Sequence, residues 1–217
     1  MAKTLELPEQ RVILNGISWE TYERILADKG DRPVPRLAYD RGVLEAMSPS
    51  VRHEGIARNI AVVVTVVADE LGIDVFDAGS TTFKREDLER GFEPDGCFYV
   101  QNESRIRGTQ EIDLTVDPPP DLVIEVDITS LSLNKLPIHA QIGVPEVWRH
   151  DGETLAILSL EGEQYGEAAA SHVLPPLTID VLSSFVEASR TQGRTVWMRA
   201  VRTWVRQHRD EAGGPPA

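Results

Sequence analysis

The chain has 217 residues, of which 41% are hydrophobic, and a formal net charge of −13 at pH 7. This length suits one domain with appendages that can bury a core without covalent crosslinks, and the single cysteine excludes a disulfide framework and a cysteine-rich zinc site. The acidic balance argues against nonspecific binding of nucleic acid, which depends on basic surface. The negative charge does not exclude a carboxylate-lined metal site, because a bound cation offsets that charge locally.

Neither a signal peptide nor a membrane span is predicted. The first ten residues contain no apolar stretch of signal-peptide length. The longest apolar run, residues 60–68, is interrupted by Thr65 and is far too short to cross a bilayer. We therefore expect a soluble, cytoplasmic protein.

Capping residues and hydrophobic periodicity define the predicted elements before residue 91. Ser18 is a typical helix N-cap, and Ser48-Pro49 puts a proline where the first turn of a second helix accepts it. Gly72 ends that second helix, since glycine adopts the left-handed conformation at little cost. In chain order we expect a helix from Ser18 to Gly30, a hairpin of residues 36–40 and 43–47, a helix over residues 51–71, strands at 73–77 and 81–84, and a charged loop over 84–90.

The remaining elements surround one clear strand. Leu122-Val123-Ile124 is an apolar run too short for a helix, which indicates a strand buried on both faces. The order of helices and strands predicts a mixed α/β domain built around one sheet. In chain order we expect strands at 96–100 and 121–126, a short helix over 133–142 that ends at Gly143, a hairpin of residues 146–150 and 155–160, and a helical tail over 185–208.

The tail is amphipathic, and it sets the predicted division of the chain. Its apolar face should dock on the domain or on a second subunit, whereas its arginine face is interpreted as solvated surface rather than a DNA contact. We divide the chain into an N-terminal segment (residues 1–17), one domain (residues 18–184), and a C-terminal amphipathic helix with a disordered end (residues 185–217).

Two acidic residues lie at positions where ionisable groups are costly. Glu125 lies inside the most apolar strand, and Asp95 follows Pro94 at the start of another. A buried carboxylate costs several kcal/mol unless it is paired or bound to a cation. If the strands are adjacent, the two carboxylates could share one Mg²⁺ or Mn²⁺ ion. Lys135, at the start of the next helix, could stabilise charge that develops on a phosphate group.

The spacing by itself leaves other interpretations open. Acid pairs on strands are often salt-bridged to arginine, and Asp127 falls on the same strand face as Glu125. Glu54 lies in the first turn of a helix, where the helix dipole alone favours an acid. His53 is interpreted as a helix-start or hydrogen-bonding residue rather than a metal ligand.

Several segments, in one order along the chain, resemble the Uma-two family of putative restriction endonucleases, formerly a domain of unknown function. The resemblance spans residues 39–148, about half of the chain. The matching segments are residues 39–50, His53-Glu54, residues 81–83, Pro94-Asp95, residues 119–126 and residues 143–148.

The resemblance implies a PD-(D/E)XK nuclease-like fold and a metal-dependent endonuclease that acts on DNA. It puts the metal-binding acids at Asp95 and Glu125 and an accessory acid at Glu54. The usual lysine two residues after the glutamate is replaced by Asp127, and the resemblance moves its role to Lys135. Cleavage of both DNA strands by such folds usually needs two sites, so a homodimer is expected. The alternatives are an inactive binding or assembly module with the same fold and a binder of a small phosphorylated ligand.

Three expectations follow for the structure and for a variant. The carboxylates of Asp95 and Glu125 should lie on one sheet face within about 6 Å of each other, close enough to share a cation. The ammonium of Lys135 should point toward the gap between them. Glu125→Ala should leave the fold intact or stabilise it, because the substitution removes a like-charge cluster.

Overall fold

A computed structural model describes residues 9–128 and 133–209 of the protein. The strands in these ranges are β1 (Gln10–Asn15), β2 (Arg36–Asp40), β3 (Val43–Ser48), β4 (Phe76–Asp77), β5 (Phe83–Arg85), β6 (Arg90–Phe92), β7 (Gly96–Tyr99), β8 (Leu122–Val126), β9 (Glu146–His150), β10 (Leu155–Glu161) and β11 (Gln164–Ala168). The α-helices are α1 (Trp19–Lys29), α2 (Val51–Leu71), α3 (Glu103–Ile106), α4 (Leu136–Ile142), α5 (Ile179–Thr191) and α6 (Arg194–His208).

The strands form two sheets, so the prediction of a single sheet was wrong. One sheet has the order β1-β3-β2-β6-β5, and the other has the order β11-β10-β9-β8-β7-β4. The chain passes between them at Glu93-Pro94-Asp95, after β6 and before β7. Pro94 has no N–H to donate to a strand ladder, so it favours a break there. Asp95 therefore lies at the junction of the two sheets.

Apolar layers cover both faces of the six-stranded sheet. Helices α2 and α5 pack on one face, with α6 packed against these two helices, and the five-stranded sheet and α4 pack on the other face. Ile124 and Trp148 belong to the first layer, whereas Val123 and Val147 belong to the second. Strand β8 is thus buried on both faces, as its apolar run predicted. No helix in the described ranges is both long and apolar enough to span a membrane.

The elements predicted from caps and periodicity before residue 73 are confirmed. The side chain of Ser18 accepts a hydrogen bond from Thr21 N at the start of α1, and the side chain of Ser50 accepts one from His53 N at the start of α2. Gly72 adopts the left-handed conformation (φ 70°) that ends α2. The β2–β3 hairpin turns where Arg41-Gly42 predicted it.

Short elements held mainly by distant partners were predicted poorly. The strand predicted over 73–77 is the shorter β4, and the strand predicted over 81–84 is β5, which begins two residues later. The loop predicted over 84–90 ends where β6 begins. Strands β1, β6 and β11 and helix α3 were not predicted. Strand β6 has three residues, too few to form an alternating pattern, and it forms because it pairs with β2 and β5.

Helix α4 begins at Leu136, three residues later than predicted. Pro137 explains the difference, because its ring fits only the first turn of a helix. A start at Leu133 would have put Pro137 in the second turn. Lys135 is consequently the N-cap residue of α4.

The tail consists of two helices, whereas one continuous helix was predicted. Gln192 and Gly193 are both extended, so the chain turns between α5 and α6. The indole Nε1 of Trp197 donates to the carbonyl of Phe185 at 2.8 Å and holds the two helices together. Helix α6 packs against α2, which fulfils the expectation that the apolar face docks on the domain. The expected disordered end, residues 211–217, lies outside the described residues.

Candidate active site

Asp95 and Glu125 lie next to each other across two adjacent antiparallel strands. Gly96 of β7 pairs with Ile124 of β8, and the backbone N–H of Asp95 donates to the carbonyl of Ile124 at 3.2 Å. Because side chains alternate along a strand, both carboxyl groups point to the face occupied by Val123. Their side chains are 0% and 3% exposed. This placement agrees with the expectation that the two acids share one sheet face.

Three groups among the described residues contact the carboxylate of Asp95. Oδ1 accepts a hydrogen bond from Arg36 Nη1 at 2.6 Å and lies 2.8 Å from His53 Nε2. Oδ2 accepts a hydrogen bond from the backbone N–H of Val126 at 2.7 Å. Burial raises the pKa of Asp95, but the contact with His53 and the charges of nearby cations outweigh burial and hold the pKa at about 2. Asp95 is therefore ionised at neutral pH.

Both oxygens of Glu125 contact side chains at the start of α4. Lys135 Nζ donates to Oε2 at 2.6 Å, and His139 Nε2 lies 3.0 Å from Oε1. Burial raises the pKa of Glu125, but the charge of Lys135 and the hydrogen bond with His139 lower it below its usual value. Burial lowers the pKa of Lys135, but Glu125 and Asp95 raise it above its usual value. The site thus holds a buried, charged lysine beside two buried, charged acids.

Arg36 connects Asp95 to Glu54, the predicted accessory acid. Nη2 of Arg36 donates to Oε1 of Glu54, whose side chain is 35% exposed. Glu54 also lies in the first turn of α2, where the helix dipole favours an acid. The contact brings Glu54 to the edge of the site, and its accessory role stays a prediction.

Three side chains that contact the acid pair were not predicted to do so. Arg36 begins β2 far from Asp95 in sequence, and no local pattern indicated it. His53 was interpreted as a hydrogen-bonding residue, and its Nδ1 does lie 2.5 Å from Glu9 Oε2. His139 follows Lys135 by four residues, so both side chains point from one face of α4. That helical spacing was the signal that could have identified His139.

A cavity of about 300 Å³ opens beside Glu125. Its polar lining residues are Glu125, Asp127, Asn134, Lys135, His139 and Arg149. Asp95 does not line this cavity and contacts Arg36 and His53 instead. Lys135 and Glu125 are therefore the members of the site that a molecule in the cavity would meet first.

The family model Uma2, described as "Putative restriction endonuclease", matches residues 19–189. The chain belongs to the Uma2 family. This match confirms the resemblance found over residues 39–148 and extends it toward both ends of the chain. The crystal structure of a putative nuclease from Anabaena variabilis ATCC 29413 is similar, with a TM-score of 0.51 and 19% identity over 78% of this chain and 99% of that chain. The mixed α/β, restriction-endonuclease-like fold is likewise confirmed. No curated protein matches the chain.

The acid pair of this Uma2 chain has the donor chemistry of a Mg²⁺ or Mn²⁺ site. Two ionised carboxylates supply the hard oxygen ligands that these ions prefer. Within the described residues, Oδ2 of Asp95 and both oxygens of Glu125 each have one donor partner, which leaves a lone pair on each. The described residues contain no group of three or more His, Cys, Asp or Glu side chains arranged to hold a metal ion. The protein would thus contribute Asp95 and Glu125 and leave the other positions to water or substrate, as Mg²⁺ sites often do.

His53 should make the stability of this Uma2 protein depend on pH. Burial lowers the pKa of His53, but its contacts with Asp95 and Glu9 raise the pKa to about 9. The unfolded value is about 6.5. Because the folded pKa is the higher one, the stabilisation is fully present below pH about 6.5 and is lost as the pH rises through about 9.

We expect His53 to contribute a fall of about 3 kcal/mol in the free energy of unfolding across this interval. Urea titrations in EDTA between pH 6 and 9.5 measure this fall, and His53→Gln should lack that component. Equal pH slopes for the two proteins would contradict the assignment of a charged His53.

Proposed function

We propose that the protein is a metal-dependent endonuclease that hydrolyses phosphodiester bonds in DNA, with Mg²⁺ or Mn²⁺ held by Asp95 and Glu125. The observation that carries the proposal is the pair of buried, ionised carboxylates on adjacent strands, with the Lys135 ammonium 2.6 Å from one of them. Membership of a family described as "Putative restriction endonuclease" and similarity to a structure described as a putative nuclease support a reaction on nucleic acid.

The side chains of the site have separate tasks in such a reaction. The metal ion, when bound, would polarise the phosphodiester and lower the pKa of an attacking water. Asp95 and Glu125 remain ionised at neutral pH and serve as its ligands. Lys135 stabilises the negative charge that develops on the phosphate oxygens. His53 and Arg36 orient Asp95, and Glu54 holds Arg36 in position through its contact with the guanidinium.

A second candidate function is that of a metal-free binding module with the same fold. Three of the four oxygens of the acid pair already contact Arg36, His53, Lys135 or His139, and the fourth accepts a backbone N–H. Such internal neutralisation would stabilise the site without any ion. This module would bind nucleic acid or a phosphorylated ligand without cleaving it.

A cleavage assay with metal replacement tests the proposal. The substrates are supercoiled plasmid and a labelled single-stranded DNA, each with Mg²⁺, Mn²⁺ or EDTA. We expect cleavage with either ion and none in EDTA. Asp95→Asn and Glu125→Gln should each lower the rate by at least about 10²-fold, as expected when charge stabilisation in the transition state is lost. Glu187→Gln is the matched control, because Glu187 is a surface acid that is 66% exposed.

The outcomes separate the two candidates. Cleavage that persists in EDTA, or that survives both Asp95→Asn and Glu125→Gln, contradicts the metal-dependent site. Binding of DNA without cleavage under any metal condition favours the binding module instead.

The proposal includes two copies acting together, since cleavage of both strands of a duplex by such folds usually needs two active sites. Light scattering at the concentration of the cleavage assay measures the assembly. A monomer that linearises plasmid in one binding event would contradict this part of the proposal.

A further inference from the structure

Arg149 stands beside Glu125 on the neighbouring parallel strand. The register of β8 and β9 pairs Glu125 with Arg149, so both side chains point to the same sheet face. Arg149 lines the cavity of about 300 Å³ together with Lys135. The cavity therefore has two cationic groups from different elements, one buried and one 44% exposed.

The guanidinium of Arg149 is anchored through its Nε. Its Nε donates to Asp127 Oδ2 at 3.0 Å. Within residues 9–128 and 133–209, neither Nη1 nor Nη2 of Arg149 forms a hydrogen bond. Asp127 is held from the other side by Arg11, whose Nη2 lies 3.5 Å from Oδ1. The anchor fixes the orientation of Arg149 and leaves its two terminal amino groups available at the cavity.

We propose that Nη1 and Nη2 of Arg149 bind a phosphate group of the nucleic-acid substrate, which makes Arg149 a substrate-binding residue. The inference rests on the proposed function and names the backbone phosphate as the group recognised at this position. A guanidinium presents two parallel N–H donors that match two phosphate oxygens, which an ammonium does not. The protein carries a net charge of −13, so a polyanion needs a local cationic position to approach the acid pair.

Binding of a fluorescein-labelled single-stranded DNA, measured by anisotropy, tests the inference without requiring turnover. The full chain is titrated in Ca²⁺ and, separately, in EDTA, at several salt concentrations. We expect Arg149→Gln to raise Kd about 10-fold, the cost of losing one charge-assisted contact. The slope of log Kd against log salt concentration, the salt slope, should fall by about 1, as expected for the loss of one phosphate contact. Arg149→Lys should retain the salt slope and raise Kd less.

Arg190→Gln is the matched control. Arg190 is 50% exposed on α5, pairs with one acid, and carries the same charge as Arg149. Its substitution should leave Kd within about twofold, the level of ordinary surface changes. Equal effects of Arg149→Gln and Arg190→Gln would mean that only net charge matters, and this result overturns the inference. Absence of DNA binding by the unsubstituted protein in both buffers also overturns it.

Failure of this inference can be told apart from failure of the nuclease proposal. If the protein binds DNA through Arg149 but cleaves nothing with Mg²⁺ or Mn²⁺, the phosphate contact stands and the nuclease proposal falls. If the protein cleaves DNA while Arg149→Gln keeps both Kd and KM, the nuclease proposal stands and the role of Arg149 is wrong. Thermal melts establish that each variant is folded. If Arg149→Gln fails to fold, an Arg149→Lys variant with the same Kd as the unsubstituted protein overturns the inference.

Discussion

Replacing Lys135 by alanine should lower the rate of DNA cleavage by about 10²-fold or more while the protein still binds metal. The ammonium lies 2.6 Å from Glu125 and lines the cavity, so it is placed to act on a phosphate group beside the acid pair. A donor that stabilises transition-state charge usually contributes this much to kcat. Single-turnover cleavage measures the rate, and calorimetric titration with Mn²⁺ measures the affinity for metal.

The controls separate loss of chemistry from loss of structure. Lys135→Met fills the buried volume without the charge and should be as inactive as Lys135→Ala. Lys84→Ala removes a surface lysine that is 49% exposed and should cleave at the rate of the unsubstituted protein. If Lys135→Ala and Lys135→Met both cleave at an unchanged rate, Lys135 has a structural role only.

Glu125→Ala should destabilise the metal-free protein by about 3–5 kcal/mol, the usual cost of breaking a buried ion pair from one side. The sequence alone had suggested the opposite, because it indicated a cluster of like charges without their partners. In the structure the substitution leaves the buried ammonium of Lys135 and the ring of His139 without their carboxylate. The repulsion between Glu125 and Asp95 is the weaker effect, since the pKa of Glu125 lies below its usual value.

Urea denaturation in EDTA measures this effect, and a double variant isolates its cause. Glu125→Ala combined with Lys135→Met removes both charges and should recover much of the lost stability. Glu187→Ala, at an exposed position, should stay within about 0.5 kcal/mol of the unsubstituted protein. A single variant as stable as the starting protein, or more stable, would restore the like-charge interpretation.

Local signals in the sequence determined helices α1 and α2, the first hairpin and the central strand. Ser18 and the glycines that end helices act on their own turns, so their effect does not depend on distant contacts. The apolar run of β8 is also a local signal, and it predicted that this strand is buried on both faces. The choice of Asp95 and Glu125 as a pair rested on their unusual positions together with the family resemblance, and their roles as metal ligands stay predictions.

Tertiary structure alone decided how the acid pair is neutralised and how many sheets surround it. Strands β1, β6 and β11 form through pairing with partners elsewhere in the chain. Arg36 and Asp95 meet only because β2 pairs with β6 and the chain changes sheets at Pro94, directly after β6. Contacts of this kind depend on the packing of distant segments, and the charges that a buried carboxylate meets cannot be read from its neighbours in sequence. The same packing decides whether removing Glu125 relieves repulsion or exposes an unpaired lysine.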